Sequence, residues 1–399
     1  MRFTISYIFY NKTKFIIFCF LLLLVIFIIF NIKLTEIKKI EPYFKDKSYY
    51  NKYIFDCYKL KKYKRTKINN IIPYFSITLA TYNMENYIES TILSIMNQSF
   101  QDFEIVIVND YSTDNTLQII NRIKLKNNKI KLINHSKNLG LLATRMDCIQ
   151  NSSGKYIILM DPDDILLDPN LLNYIYNYNL KYNLDIIEFT ILCYLEKKKY
   201  LYKPNKTYYH YHNFSKKIIK QPQLSELLFY IPNTKNYSSV ICTSSRNKIF
   251  RKEILLKTVN YIEKDYYKEF VITAEDTFIN IISYQFANNY SNIDFPGYMY
   301  NIREKSVTHG VKDVKQKILF NYNYLIFNKI LYGVIKDFNK DRNFLFYDLK
   351  RTNFLLLKLR KLSSKLKPKV NEFYEKIIKD RNISKEFKNY ILNLLKKSL

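Results

Sequence analysis

Tyr156–Asp164, YIILMDPDD, is an apolar run that ends abruptly in three carboxylates, Asp161, Asp163 and Asp164. A short apolar run without polar alternation fits a strand buried on both faces, and open α/β sheets bind their ligands at the C-terminal ends of such strands. The acids therefore stand at the mouth of a sheet. Three clustered carboxylates repel one another and need solvent or a cation, and hard oxygen ligands suit Mg²⁺ or Mn²⁺. An Asp-Pro turn after a strand would explain the same letters without any chemistry. The surrounding stretches decide between the two.

Working outward, Phe75–Ala80 is a short apolar strand leading into Thr81-Tyr82-Asn83, and Tyr87–Met96 follows with Ile88, Ile92, Ile95 and Met96 at helical spacing. Glu104–Val108 is a second strand closing on Asn109-Asp110. Ser112-Thr113-Asp114 follows, where Ser or Thr can cap a helix running to about Lys126. Ile130–Ile133 gives a third strand, Leu141–Ile149 a helix, Leu171–Asn179 another helix and Asp185–Thr190 a fifth strand. Repeated βαβ units imply right-handed crossovers and an α/β fold with a Rossmann-like, mostly parallel sheet. Gly140 and Gly154 mark backbone positions where a side chain would not fit.

Downstream, Cys193–Ser239 is weakly patterned, and His210 and His212 within it read as an exposed edge without a metal. Arg246, Lys248 and Arg251 stand among apolar residues; Ala274-Glu275-Asp276 opens a helical run through Phe286, and Tyr298–Ile302 is a strand. Carboxylates at a helix start also serve simply as dipole-stabilising first-turn residues. Arg303, Ser306 and His309 fall in a polar loop, and from Val311 to Leu399 the pattern is helical, interrupted at Pro368.

With 399 residues and 48% hydrophobic content the chain can bury a core, which excludes a disordered protein. The formal charge of +29 comes mostly from Lys spread along the whole chain, beside abundant Asn, Ile and Tyr and only five Gly. It reads as biased codon usage rather than a nucleic-acid footprint, and no nucleic-acid partner is expected. Cys19, Cys57, Cys148, Cys193 and Cys242 show no metal-finger spacing and read as buried thiols.

Phe15–Phe30 is free of charge between Lys14 and Lys33, long enough to cross a bilayer with snorkelling lysines, and no small-x-small cleavage site follows it. The resulting plan is a flank at 1–14, a transmembrane anchor at 15–32, a stalk at 33–73, a catalytic-type domain at 74–310 and a helical region at 311–399. The expected location is a membrane, single-pass, in the endoplasmic reticulum or Golgi if the source is eukaryotic. Basic residues on both sides of the anchor leave its orientation open.

The order of motifs, a strand ending in TYN, a second ending in ND-x-STD, then N-L-G, a DPDD strand end and a downstream AED, resembles the family 2 glycosyltransferases of the GT-A fold. Asn109 and Tyr111 stand where many members carry Asp and Gly. The resemblance implies that Thr81, Tyr82 and Asp110 hold the base and ribose of a nucleotide sugar, a UDP-sugar foremost, with Arg145 near that donor. It implies that the Asp161-x-Asp163 motif bridges ribose hydroxyls and a divalent metal, Mn²⁺ or Mg²⁺, with Asp163 favoured over Asp161 and Asp164 as the direct ligand and His309 as a further candidate. It implies that Asp276 is the catalytic base of an inverting transfer to a hydroxyl on a glycan, protein or lipid, and that Glu275 orients the acceptor or the motif. Two rivals stand beside this reading. One is a nucleotide-sugar-binding protein without turnover, against which the intact acids at Asp161, Asp163 and Asp276 argue. The other is a membrane-tethered basic protein that binds anionic lipid or nucleic acid, whose affinity would collapse with salt.

Overall fold

The computed structural model describes residues 72–196, 200–202, 218–224, 244–266, 269–303, 313–338 and 367–380, with single positions at 385, 388, 389 and 392. The expected anchor and stalk, His210, His212, Ser306 and His309 lie outside the described residues. Among the described residues no helix is long and apolar enough to cross a membrane.

In chain order the elements are β1 (Phe75–Thr81), α1 (Ile88–Met96), β2 (Phe103–Asn109), α2 (Thr116–Lys124), β3 (Ile130–Asn134), α3 (Leu141–Gln150), β4 (Tyr156–Met160), β5 (Ile165–Leu166), α4 (Leu171–Tyr182) and β6 (Ile186–Leu195). Then come β7 (Tyr200–Tyr202), β8 (Ile218–Lys220), β9 (Lys248–Arg251), α5 (Lys252–Tyr266), α6 (Glu275–Phe286), β10 (Asn289–Ile302), α7 (Val314–Asp337) and α8 (Lys367–Lys379).

The strands form one mixed sheet in the order β3-β2-β1-β4-β9-β6-β10-β5, with β7 added to β6 and β8 to β10. Its longest pairings are parallel: β1 with β2 and β4, β2 with β3, and β6 with β10. Between the two parallel blocks lies β9, antiparallel to both β4 and β6.

β4 shows why the apolar runs become central strands. Ile157 and Leu159 join a core under α3, α5 and α6, whereas Tyr156, Ile158 and Met160 join a second core under α1 and α4. A strand that faces a hydrophobic layer on both sides has no polar alternation to offer. Gly154, just before β4, packs so closely on β1 that a β-carbon would stand 2.6 Å from the Ser76 amide nitrogen, as its scarcity suggested.

The C-terminal helices belong to the same body. Leu325, Ile326 and Phe327 of α7 and Val370, Phe373 and Tyr374 of α8 are buried in the core that holds α6. Pro368 does not break a helix interior; it is the second residue of α8, where its missing N–H removes no helical hydrogen bond.

Three local expectations are revised. The expected Ser or Thr cap on α2 is not made: Asn115 holds the N-cap position without a side-chain cap bond, and the first helical amide, Thr116 N, donates to Asp114 Oδ1 at 3.0 Å, while Ser112 and Asp114 take on a further task. They reach across to the β1–α1 loop, Ser112 Oγ accepting from Asn83 N at 3.0 Å and Asp114 Oδ2 from Glu85 N at 3.1 Å. β10 begins nine residues before Tyr298, and its register against β6 shifts between Ile293 and Tyr298, which hides its first half from a search for an apolar run. The third revision is β9, whose four residues KIFR carry a buried lysine and read as nothing in particular.

Candidate active site

A cavity of about 590 Å³ opens at the C-terminal ends of β1, β2 and β4, and Thr81, Tyr82, Asp110, Arg145, Asp161, Asp163, Glu275 and Asp276 all line it. The loops around it hold unusual backbone. Asn83 after β1, Tyr111 after β2 and Ala274 before α6 all adopt left-handed φ, at 51°, 63° and 64°. Such conformations in residues other than glycine persist only where surrounding structure enforces them. Tyr111, where the sequence departs from the pattern it resembles, is one of these.

Asp110 directly follows β2 and is almost fully buried. Its carboxylate accepts from Leu139 N at 2.7 Å and Gly140 N at 3.0 Å, so it organises the N-L-G turn while lining the cavity. Gly140 holds φ +90°, a conformation for which glycine is suited. His135, from the end of β3, bridges Asp110 Oδ1 at 2.8 Å and Asp147 Oδ2 of α3 at 2.9 Å. Only a lone polar residue after a strand marks it in the sequence. Thr81 is buried with its hydroxyl donating to Leu79 O at 3.3 Å, and Tyr82 is exposed at the rim.

The three acids after β4 separate into distinct roles. Arg145, buried in α3, donates to Asp161 and, through Nε, to Glu275 Oε1 at 3.1 Å. Burial would raise the Asp161 carboxyl, but the guanidinium groups of Arg145 and Arg246 hold it below the usual range. Asp163 pairs with Arg303 Nε at 2.5 Å, yet burial pushes it up to about 6. Asp164 turns inward: Tyr298 OH donates to its Oδ2 at 2.6 Å and Asn301 N to its Oδ1 at 2.9 Å, fastening the acidic turn to β10. Burial, with Asp163 and Asp161 close by, raises it well above the ordinary carboxylate value.

Ligand oxygens of Asp161, Asp163 and Asp164 lie within 4.8 Å of one another. This donor set is oxygen only. These residues fit a hard divalent cation, with Asp161 and Asp163 facing the cavity and both Asp164 oxygens already engaged in the protein.

Across the cavity, Glu275 and Asp276 open α6. Burial, then the charge of Asp276, pushes Glu275 up to about 7 against the pull of Arg145. Asp276 accepts from Thr277 N at 2.8 Å through Oδ1. Between the two acid groups stands Arg246, from the turn before β9, its guanidinium 3.9 Å from the centre of the Tyr300 ring. Arg246 Nε lies 3.7 Å from Asp161 Oδ2 and its Nη2 lies 3.9 Å from Asp276 Oδ2, so one cation links the strand-end acids to the helix-start acid. The expected residues other than Asp164, which turns into the protein, and His309, which is not among the described residues, are thus gathered in one cavity, with Arg246, Tyr300 and Arg303 as additions. Cys148 and Cys193 are buried free thiols.

The sequence model of the family described as Glycosyl transferase family 2 matches residues 76–259. An uncharacterized glycosyltransferase of Haemophilus influenzae is 37% identical over 100 residues, 25% of this chain and 40% of that protein. The cholesterol galactosyltransferase of Borreliella burgdorferi is 26% identical over 225 residues, 55% of this chain and 59% of its own length. The chain therefore spans less than two thirds of the length of these curated relatives. Among solved structures, S. aureus TarS 1-349 in complex with UDP-GlcNAc superposes with a TM-score of 0.52 at 19% identity, over 81% of this chain and 88% of that one, a likeness of fold. The family match takes in Asp110, Arg145, the acids after β4 and Arg246, and stops before α6. Residues 76–259 of this chain are a glycosyl transferase family 2 domain.

Proposed function

We propose that the chain transfers a sugar from a UDP-sugar to an acceptor hydroxyl with inversion at the anomeric carbon. The observation that carries this reading is the pair of acid groups in one cavity, Asp161 and Asp163 on one side and Asp276 on the other, joined through Arg246 at 3.7 and 3.9 Å. Names among the relatives and the UDP-GlcNAc in the TarS structure support a nucleotide-sugar donor.

In this reading Asp110 and the turn it organises receive the base and ribose, with Thr81 and Tyr82 on the flank. Asp161 and Asp163 would hold Mn²⁺ or Mg²⁺, which when bound neutralises charge on the departing diphosphate. Arg246 and Arg303, released from carboxylates, supply further positive charge to the same anion. Asp276 accepts the proton of the attacking hydroxyl, a contribution worth about 10²–10⁴-fold. Glu275, tied to Arg145, orients the motif. The apolar run Phe15–Phe30 supports a membrane anchor for the catalytic domain, with a glycan, protein or lipid acceptor.

The test is UDP release from UDP-GlcNAc, UDP-galactose and UDP-glucose, with Mn²⁺ or with chelator, for wild type and Asp163→Asn. Metal-dependent UDP binding that is lost in the variant is expected. Metal-dependent UDP affinity unchanged in Asp163→Asn would sink the metal assignment.

A further inference from the structure

Residues 269–273, which lead into α6, form neither helix nor strand, yet their backbone is held from two sides. On one side, Leu142 N at the start of α3 donates to Val271 O at 3.1 Å, and a β-carbon on Gly140 would stand 3.1 Å from the same oxygen. On the other side is α7. Asn323, with no exposed surface, accepts from Ile272 N through Oδ1 at 2.9 Å and donates to Phe270 O through Nδ2 at 3.0 Å. Its neighbour Tyr322 donates through its hydroxyl to Glu269 Oε2 at 2.7 Å. The chain then turns through Ala274, at φ +64°, and delivers Glu275 and Asp276 as the first residues of α6. Phe327 of α7 stacks on Phe278 of the same helix, with centroids 5.7 Å apart and planes at 21°.

An irregular segment must find partners for its buried backbone groups, and a side-chain amide supplies an acceptor and a donor on two separate atoms, so it can serve a backbone N–H and a backbone carbonyl at once. Asn323 does this from within a helix in which Leu325 and Ile326, two and three positions on, are core. An apolar residue would serve packing there without the cost of burying an amide.

We propose that Asn323 is a positioning residue for Asp276: by clamping Phe270 and Ile272 it sets the left-handed turn at Ala274 and so the place from which Asp276 meets the acceptor. The C-terminal helical region is then part of the catalytic apparatus. This rests on the reading of Asp276 as base. A misplacement of about 1 Å costs up to about 10²-fold in rate.

The experiment uses the full chain and a double-mutant cycle of Asn323→Ala and Asp276→Asn, read by UDP release from the three UDP-hexoses and by UDP titration with Mn²⁺. Expected for Asn323→Ala is a turnover loss of roughly 10- to 100-fold with UDP affinity within about twofold of wild type. In the Asp276→Asn background, the second substitution adds no further loss. A ligand-free arm follows amide hydrogen exchange. Exchange at Ile272 should rise at least about tenfold in Asn323→Ala while Ile281–Ser283 of α6 is unchanged. If Asn323→Ala does not fold, Asn323→Ser, which keeps a hydrogen-bonding group, carries the comparison. Losses that multiply in the double variant, UDP affinity falling in step with turnover, or unchanged exchange at Ile272 overturn the proposal. Near-normal turnover in Asp276→Asn alone removes the base assignment instead. An impaired Asp276→Asn beside an unimpaired Asn323→Ala removes only the positioning role.

Discussion

Lys248 and Glu188 form an ion pair across adjacent antiparallel strands, Nζ to Oε2 3.3 Å, with the lysine side chain at 0% exposure and the glutamate at 3%. Tyr290 OH donates to the same Glu188 oxygen at 3.0 Å, and Lys248 also donates to Ser244 O. The pair therefore ties β9 to β6 and holds the turn that carries Arg246.

Removing one partner leaves an uncompensated buried charge, which typically costs about 3–5 kcal/mol. Lys248→Met is expected to destabilise by about that amount. Lys248→Met with Glu188→Leu should recover much of the loss, since neither charge then remains buried. Chemical denaturation of the wild type, the single variant and the double variant checks this. A double variant no more stable than Lys248→Met would show that the ion pair stabilises beyond its own desolvation.

A second expectation concerns pH. Glu275 is raised from 4.5 to about 7 in the folded protein, so between those values the folded state holds a proton that the unfolded chain has released. Stability then falls as pH rises through that window, the reverse of the usual effect of an ion-paired carboxylate. Glu275→Gln has no proton to lose, so its melting temperature relative to wild type should climb from pH 4.5 to 7 and level off above it. Parallel melting curves across that range would contradict the assignment.

His135 offers a third test. Its ring bonds to Asp110 and Asp147 fix the carboxylate that organises the Asn138–Gly140 turn. His135→Phe removes both contacts, and a hydrogen bond made to a carboxylate is worth about 1.5–3 kcal/mol. UDP affinity is expected to fall roughly 10-fold or more, by the conversion of about 1.4 kcal/mol per decade. Calorimetric titration with UDP measures it, and unchanged affinity would detach Asp110 from base recognition.

The parallel half of the sheet was legible because β1, β2 and β4 are buried on both faces and so appear as continuous apolar runs, Phe75–Ala80, Glu104–Val108 and Tyr156–Met160. The site acids were legible for the same reason, since Asp110 and Asp161 stand directly after such runs. β9 was not, because its buried Lys248 is neutralised by a residue 60 positions away that sequence does not connect to it. The first half of β10 was hidden by Asp294, whose carboxylate accepts from Thr190, and by the register shift beyond Ile293. Arg246, His135 and Asn323 belong to the site through long-range hydrogen bonds and ion pairs, and a lone polar residue in the sequence carries no mark of such a partner.

The assignment of Asp276 as base is the centre of this account, and Asp276→Asn tests it most directly. A base acts on the acceptor and contributes little to donor binding, so initial rates should fall about 10²–10⁴-fold while UDP affinity and melting temperature stay near wild type. Asn keeps the side-chain oxygen that accepts from Thr277 N, so a residue that merely stands in the first turn of α6 would leave turnover almost untouched. Near-normal turnover in Asp276→Asn would contradict the proposed mechanism.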